Sequence, residues 1–524
     1  MKRKISLLIF LLSAIIAHGQ VTFQKTYGGN ADDEGYCVQQ TSDGGYIISG
    51  QTISYGAVGW DVYLIKTNNT GDTLWTKTFG GTNHESGYSV IQTNDGGYIV
   101  CGVTNSFSNP YDVYLLKTDS NGNLLWSKAY GGANLESGKC VQQTNDNGFI
   151  IAGHTVSYGA GNYDGYLIKT DSIGDTLWTK TYGGSGDDYF NYVRQTTDGG
   201  YILTGTSNSS GTDNSLYLVK TMSNGDTLWT RLINVAAPGQ LNDEGYSVVQ
   251  TNDGGYVAAG VSRGDKVFLI KASATGNLVW VKTFGVLNIA NANDLQLTSD
   301  GGFIVGGHTF NAVNQSDMYL VKTDSYGNLQ WSKTFGGPDE EYSYSVQQTT
   351  DNGYIICGFT CGFGAGGCTL YANGDVYLIK TDSLGNSGCN ENIPVTTVNT
   401  PSSVSNSFSP AIGWGGGINS PVSLTGRGGN VNTLCLANGI NEVTGELNNI
   451  FIFPNPASNE LIFTLPNQNK NWIKQVVIYD ILSKKVYSNS FTQNINVSGW
   501  SNGVYFVQLK GSNEIKTLKL VVQH

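Results

Sequence analysis

An Asp-(Gly/Asn)-Gly turn recurs at Asp43, Asp95, Asp146, Asp198, Asp253, Asp300 and Asp351, at spacings of 52, 51, 52, 55, 47 and 51 residues. Such regularity means that one supersecondary unit is repeated, and a unit of this size must stack on its neighbours to bury an apolar face. In the second copy the runs Tyr88–Thr93, Tyr98–Thr104, Asp112–Thr118 and Leu124–Tyr130 are rich in Val, Ile, Leu, Tyr and Thr. Gly, Asn, Asp and Ser bound them, so each unit reads as four short antiparallel strands. The Asp-Gly-Gly turn and Asn121-Gly122 supply the positive-φ positions that tight hairpins need.

Four-stranded units of about 50 residues predict an all-β fold of β-propeller type. The ends of the array show how it would close. A third-strand signature ends at Lys66, Lys117, Lys169, Lys220, Lys271, Lys322 and Lys380, seven copies, whereas the fourth-strand Trp is found only six times, at Trp75, Trp126, Trp178, Trp229, Trp280 and Trp331. The missing strand lies at the other terminus, where Phe23-Gln-Lys-Thr-Tyr-Gly-Gly29 matches Trp75-Thr-Lys-Thr-Phe-Gly-Gly81. A seven-bladed propeller over residues 20–390, closed by an N-terminal strand that hides two sheet edges, is the expected architecture. The Trp after its Gly-containing turn resembles the docking motifs of quinoprotein-like and Asp-box-like propellers. That resemblance implies packing of the Trp against the neighbouring blade and carries no activity.

Residues 1–19 combine Lys2, Arg3 and Lys4 with an apolar run that is too short to span a bilayer, the pattern of a secretory signal peptide. Its removal takes three of 29 basic residues and none of the 40 acidic ones, leaving a net charge near −14. No later stretch is apolar enough to be a transmembrane segment, and without a basic stripe nucleic acid is not an expected partner. Residues 391–446 are dominated by Ser, Thr, Asn and Gly and read as a linker. Alternating short strands return in residues 447–524 and suggest a compact β-sandwich. Here Pro454-Asn455-Pro456, Tyr479-Asp480 with Lys484 and Lys485, Asn502-Gly503-Val504-Tyr505 and Lys519-Leu520-Val521-Val522 occur in order. Together they closely resemble the type A C-terminal sorting domain of type IX secretion cargo. That resemblance implies passage through the outer membrane, with the type IX machinery and a surface sortase as partners, to a secreted or surface-attached location.

Eight cysteines in an exported chain permit disulfides. Cys37 and Cys140 lie six residues before their turn Asp, and Cys101 and Cys357 six residues after theirs. Each strand-two Cys belongs to the unit preceding one with a strand-one Cys, so Cys101–Cys140 and Cys37–Cys357 are the expected inter-blade bridges; four buried thiols are the alternative. Cys361–Cys368 and Cys389–Cys435 are further candidate pairs.

The sequence offers no catalytic residues and no metal triad, and no nucleophile elbow, Walker loop or His-Glu-x-x-His is present. One pattern remains. Ten residues before the turn Asp stands an acid in six of seven units: Asp33, Glu85, Glu136, Asp188, Asp243 and Glu341. These carboxylates either cap the amides of the preceding Gly-Gly turn or form an acidic rim around one channel mouth, a rim that would attract cations such as calcium or a basic partner. No cofactor is otherwise implied. The expected function is binding or adhesion to a glycan or protein. A glycan lyase or hydrolase is the alternative, with the insertions Cys361–Gly374 and Ala236–Asn242 as its unit-specific candidates.

Overall fold

The computed structural model describes residues 20–523 except 109, 212, 236–241, 263–265, 286–289, 311–315, 364–373, 402–403, 407–410, 414–416, 420–423, 427–429, 437–450, 454–457, 465–472, 481–483 and 511–514. The described chain is all-β and divides into two compact units, 1–438 and 439–524. The first unit holds seven five-stranded antiparallel sheets in a β-propeller-like repeat. In each sheet four strands follow the repeat in order; those of the second are Glu85–Gln92, Tyr98–Thr104, Asp112–Thr118 and Leu124–Gly131. The seventh sheet has only three strands from its own repeat, and Phe23–Gly28 pairs antiparallel with Asp375–Thr381 to supply the fourth.

The recurring signature residues hold these sheets together. At each Asp-(Gly/Asn)-Gly turn the Asp carboxylate accepts the backbone N–H two residues on and pairs with the third-strand Lys of the same repeat, as in Asp43 with Lys66 and Asp95 with Lys117, both 2.9 Å. The same pair recurs in all seven repeats, the Lys side chains being 2–9 % exposed. Between repeats, each Trp lies on the turn glycine of the next. Trp75 covers Gly122, Trp126 Gly174, Trp178 Gly225, Trp229 Gly276, Trp280 Gly327 and Trp331 Gly385. Phe23 covers Gly71 in the same way. These glycines have φ between 74° and 82°, so the left-handed turn and the ring above it both require the absence of a Cβ.

Residues 391–446, expected as a linker, instead contribute strands. Glu391–Asn392 adds a fifth strand to the sixth sheet, Thr397–Asn399 to the fifth, Val404–Asn406 to the fourth, Ala411–Gly413 to the third, Gly417–Asn419 to the second and Leu424–Gly426 to the first. Asn430–Leu436 then pairs with Phe23–Gly28 in the seventh sheet. The chain thus returns past every sheet in reverse order and covers its outer edge. An uncovered edge strand leaves a row of N–H and C=O groups unpaired, so even three-residue strands such as Thr397–Asn399 and Ala411–Gly413 are held there by main-chain bonding. Residues 437–446 of that stretch lie outside the described residues.

The second unit has a three-stranded sheet of Phe451–Phe453, Glu460–Thr464 and Asn494–Asn496. Beside it is a four-stranded sheet of Lys485–Ser490, Gln475–Asp480, Gly503–Lys510 and Ile515–Val522. Leu461, Phe463, Val476, Ile478, Ile495, Tyr505, Val507 and Leu520 pack between them as one core. Within the sorting motif, Tyr505 is buried and donates its hydroxyl to Ser501 O at 2.8 Å, Asn502 and Gly503 are exposed, and Pro454, Asn455 and Pro456 lie outside the described residues.

Candidate functional site

The first strands of the repeats lie side by side, so residues at one register form layers. The six acids expected as a rim sit at the start of these strands, and Asp33, Glu85, Glu136, Asp188, Asp243 and Glu341 are each 0 % exposed. They turn away from solvent. Asp33 accepts Gly29 N at 2.7 Å, Glu85 Gly81 N at 2.7 Å, Glu136 Gly132 N at 2.8 Å, Asp188 Gly184 N at 2.9 Å, Asp243 Val235 N at 2.7 Å and Glu341 Gly337 N at 2.9 Å. The arrangement is turn capping, because an unpaired carboxylate in this buried seam would be more costly than one satisfied by amides.

A second acid, not singled out by the sequence reading, meets most of them. A Cβ on Gly80 would stand 1.6 Å from Asp61 Oδ1 and 2.7 Å from Glu85 Oε2. Asp112 meets Glu136 at Gly131, Asp164 meets Asp188 at Gly183, Asp317 meets Glu341 at Gly336, and Asp375 meets Asp33 at Gly28. Burial, with the neighbouring carboxylate adding to it, pushes Asp61 and Asp112 up to about 6 and Glu341 up to about 7. In the sixth repeat Ala290 replaces the acid, and Lys266 rather than Asp stands beside the corresponding Gly285. The second acid was readable as the Asp two residues before the third-strand Tyr. Among the described residues no three His, Cys, Asp or Glu side chains converge as a metal cluster would.

Cys37, Cys101, Cys140 and Cys357 are free thiols, which corrects the expected Cys37–Cys357 and Cys101–Cys140 bridges. The cause is a β-bulge in the first strand between Gly35 and Cys37, and between Gly138 and Cys140. One extra residue reverses the side-chain alternation. Gly35 therefore faces Cys357, and Gly138 faces Cys101. The Cys37 thiol instead points to Val90 O of the following repeat at 3.6 Å, and Cys140 to Val193 O at 3.7 Å. Cys361 and Cys389 are disulfide-bonded. The side chains of Cys368 and Cys435 lie outside the described residues, as do 364–373 and 236–241 of the two insertions.

What differs from repeat to repeat gathers at the two ends of the first strands. At the end carrying the buried acids, a recess of about 420 Å³ is lined by Trp60, His84, Tyr88, Tyr111, Lys139 and His154, among others. Lys139 Nζ lies 4.1 Å from the centre of the Tyr88 ring; burial lowers the Lys139 ammonium to about 8 and His154 to about 3, so His154 is neutral at physiological pH. Tyr36 continues this aromatic surface, its ring centre 5.3 Å from Tyr88 and 5.2 Å from Tyr344.

At the Asp-Gly-Gly end a second recess, of about 500 Å³, is lined by Gln39, Gln142, Tyr192, Arg194, Gln296 and Gln347 and by turn residues of the second and third repeats. Among the described residues that line it, Arg194 is the one cation and none is a carboxylate. The sequence reading missed both recesses. The signal was present as departures from the repeat, Lys139 where other copies have Tyr or Asn and Arg194 where four copies have Gln.

No curated protein sequence matches the chain. Solved structures similar to it include a protein of unknown function from Dyadobacter fermentans, at 13% identity, covering 56% of this chain and 93% of that one with a TM-score of 0.37. Sqt1 from Chaetomium thermophilum is similar at 12% identity, covering 69% and 90% with a TM-score of 0.40. A protein of unknown function from Bacteroides caccae is similar at 10% identity, covering 57% and 94% with a TM-score of 0.32. Among the described residues no helix is long and apolar enough to cross a membrane. Residues 451–523 match the secretion system C-terminal sorting domain, so the chain carries the sorting signal of type IX secretion and is exported to the cell surface or secreted.

Proposed function

We propose that the seven sheets are the blades of a closed propeller that serves as a binding or adhesion module for a glycan or protein ligand outside the cell. Closure is supported by the seam between the last and first repeats, which repeats the contacts of the others. Gln40 Oε1 accepts Thr350 N at 2.8 Å, as Gln92 accepts Ser42 N at 2.8 Å and Gln143 accepts Asn94 N at 2.9 Å.

The observation that carries the binding reading is the recess of Trp60, Tyr88, Tyr111 and Lys139. Aromatic faces beside an ammonium, serines and a glutamine suit a ligand with both apolar faces and hydroxyls, as a sugar ring has. Tyr and Trp also lose little side-chain entropy on binding. The test is a glycan and extracellular-protein array probed with the mature protein, with and without calcium, beside Trp60→Ala and Tyr111→Ala variants. Binding that both substitutions weaken at least tenfold supports the reading. Binding untouched by either, or none to any ligand on the array, overturns it.

A further inference from the structure

The second recess carries a chemistry of its own, read from which hydrogen-bonding groups are already used. A backbone N–H donates only to an oxygen, which fixes how the glutamine amides around Arg194 are turned. Gln39 Oε1 accepts Gln92 N at 2.5 Å, Gln142 Oε1 accepts Gln195 N at 2.6 Å and Gln347 Oε1 accepts Gln40 N at 2.6 Å. With the three carbonyls so engaged, the three NH2 groups remain as donors at the recess.

Arg194 adds more donors. One terminal nitrogen donates to Gln296 Oε1 at 2.8 Å and to Tyr192 Oη at 3.2 Å. Its Nε is buried and makes no hydrogen bond. The acid whose charge acts on it is Asp294, two residues earlier in the first-strand register. Its carboxylate accepts Leu295 N at 2.7 Å, Val346 N and Ser247 Oγ at 3.1 Å, Ser345 Oγ at 3.3 Å and Gln296 Nε2 at 3.4 Å. Its oxygens are therefore spent on the walls. Asp294 offsets part of the guanidinium charge from beneath, but among the described residues no carboxylate lines the recess, so the guanidinium Nε and the flanking amide donors are left as an unfilled donor set. Only an acceptor from outside completes it, and a planar oxyanion fits an Arg fork through two parallel bonds.

Arg194 is also dispensable to the repeat. The same register holds Gln39, Gln142, Gln296 and Gln347, with Ile91 and Val249 in two other copies. The packing of the other repeats accepts a neutral residue there, and Arg194 is shared between the buried Asp294, the one acid at its own register, and the open recess.

We propose that the recess at the Asp-Gly-Gly end is an oxyanion site, taking the carboxylate or sulfate group of a small hydroxyl-rich ligand such as an acidic sugar, with Arg194 as the fork and Gln39, Gln142 and Gln347 as flanking donors. A volume of about 500 Å³ accommodates one or two sugar units. The site is independent of the aromatic recess at the other end.

The test is calorimetric titration of the mature protein with glucuronate, glucose sulfate and glucose at low and high salt. Glucuronate or the sulfate should bind at least tenfold more tightly than glucose, and the two arms tell which oxyanion is preferred. Arg194→Gln, which installs the residue that four other copies carry, should abolish that binding while leaving the melting midpoint unchanged. If this variant melts early, Arg194→Lys decides: it keeps the charge, loses the fork, and should bind at least tenfold more weakly. Trp60→Ala should leave oxyanion binding intact. Equal affinity for glucose, binding by neither anion, or full binding by the Arg194 variants would overturn the proposal.

Discussion

Tyr27 offers a way to ask whether the N-terminal strand belongs to the ring or merely lies on it. It sits in Phe23–Gly28, is 1 % exposed, and donates its hydroxyl to Gly71 O of the first repeat at 2.6 Å. Tyr130 makes the equivalent bond to Gly174 O at 2.6 Å and Tyr182 to Gly225 O at 2.5 Å, both inside the continuous array. Tyr27→Phe leaves a buried carbonyl unsatisfied, at a cost of about 1–3 kcal/mol. Tyr27→Ala also empties a large side-chain volume, and the total rises to about 3–5 kcal/mol. Against a typical domain stability of about 5–15 kcal/mol, the second loss is severe. In a chain this size each kcal/mol moves a melting midpoint by only about 1–2 °C. Guanidinium denaturation followed by Trp fluorescence is therefore the better assay. The Tyr27, Tyr130 and Tyr182 substitutions should lower the midpoint by similar amounts in a single transition. A Tyr27 variant that unfolds like wild type, while the Tyr130 variant does not, would refute closure through this strand.

Asp61 has its folded pKa raised to about 6 by burial and by Glu85, so between the ordinary carboxyl range and that value the folded chain holds a proton that the unfolded chain has released. Stability from this group falls as pH rises through that window; Asp61→Asn should stabilise the protein more at about pH 8 than at about pH 4, as read from denaturation midpoints, and an equal effect at both would contradict the carboxylate pairing. Gly80→Ala should cost about 1–3 kcal/mol, because its Cβ would meet Asp61 Oδ1 at 1.6 Å, and adding Asp61→Ala should restore part of the loss; no restoration would mean the strain lies elsewhere. Cys37 and Cys140, held up to about 12 and 11 mainly by burial, should resist alkylation in the native protein yet react without reductant in denaturant, and a Cys37–Cys357 linked peptide in a non-reducing map would contradict the bulge argument.

The repeat made the strands legible because clusters of Gly, Asn, Asp and Ser bound them at the same places in successive copies. The absent seventh Trp pointed to the pairing of Phe23–Gly28 with Asp375–Thr381. The outer strands of residues 391–436 escaped notice because their sequence carries no alternation long enough to read; they are fixed by edges that only the folded sheets create. Their trace was a short β-triplet every six or seven residues, such as Val398, Ile412 and Ile418 within theirs. The cysteine pairing failed for a local reason, since one bulged residue reverses every direction after it and nothing in Gly35-Tyr36-Cys37 announces it. The acids were found with both readings open, because a register identifies a layer and not whether a side chain turns inward to the amides or outward to water; their hydrogen bonds are those of the capping reading. Arg194 and Lys139 were visible only as exceptions to the repeat, and exceptions gain meaning once the packing of the first strands shows which of them face one another.

The claim that the second unit is the export address, and the first an independently folded cargo, is tested most directly by truncation after Asn438, where the two units divide. Cells expressing the full chain and the truncated chain would be fractionated into medium, cell surface and periplasm. Both forms would be probed by protease resistance for a folded first unit. The full chain should reach the surface or the medium, and the truncated chain should accumulate, folded and protease-resistant, in the periplasm. Undiminished surface delivery of the chain lacking residues 439–524 would contradict the account.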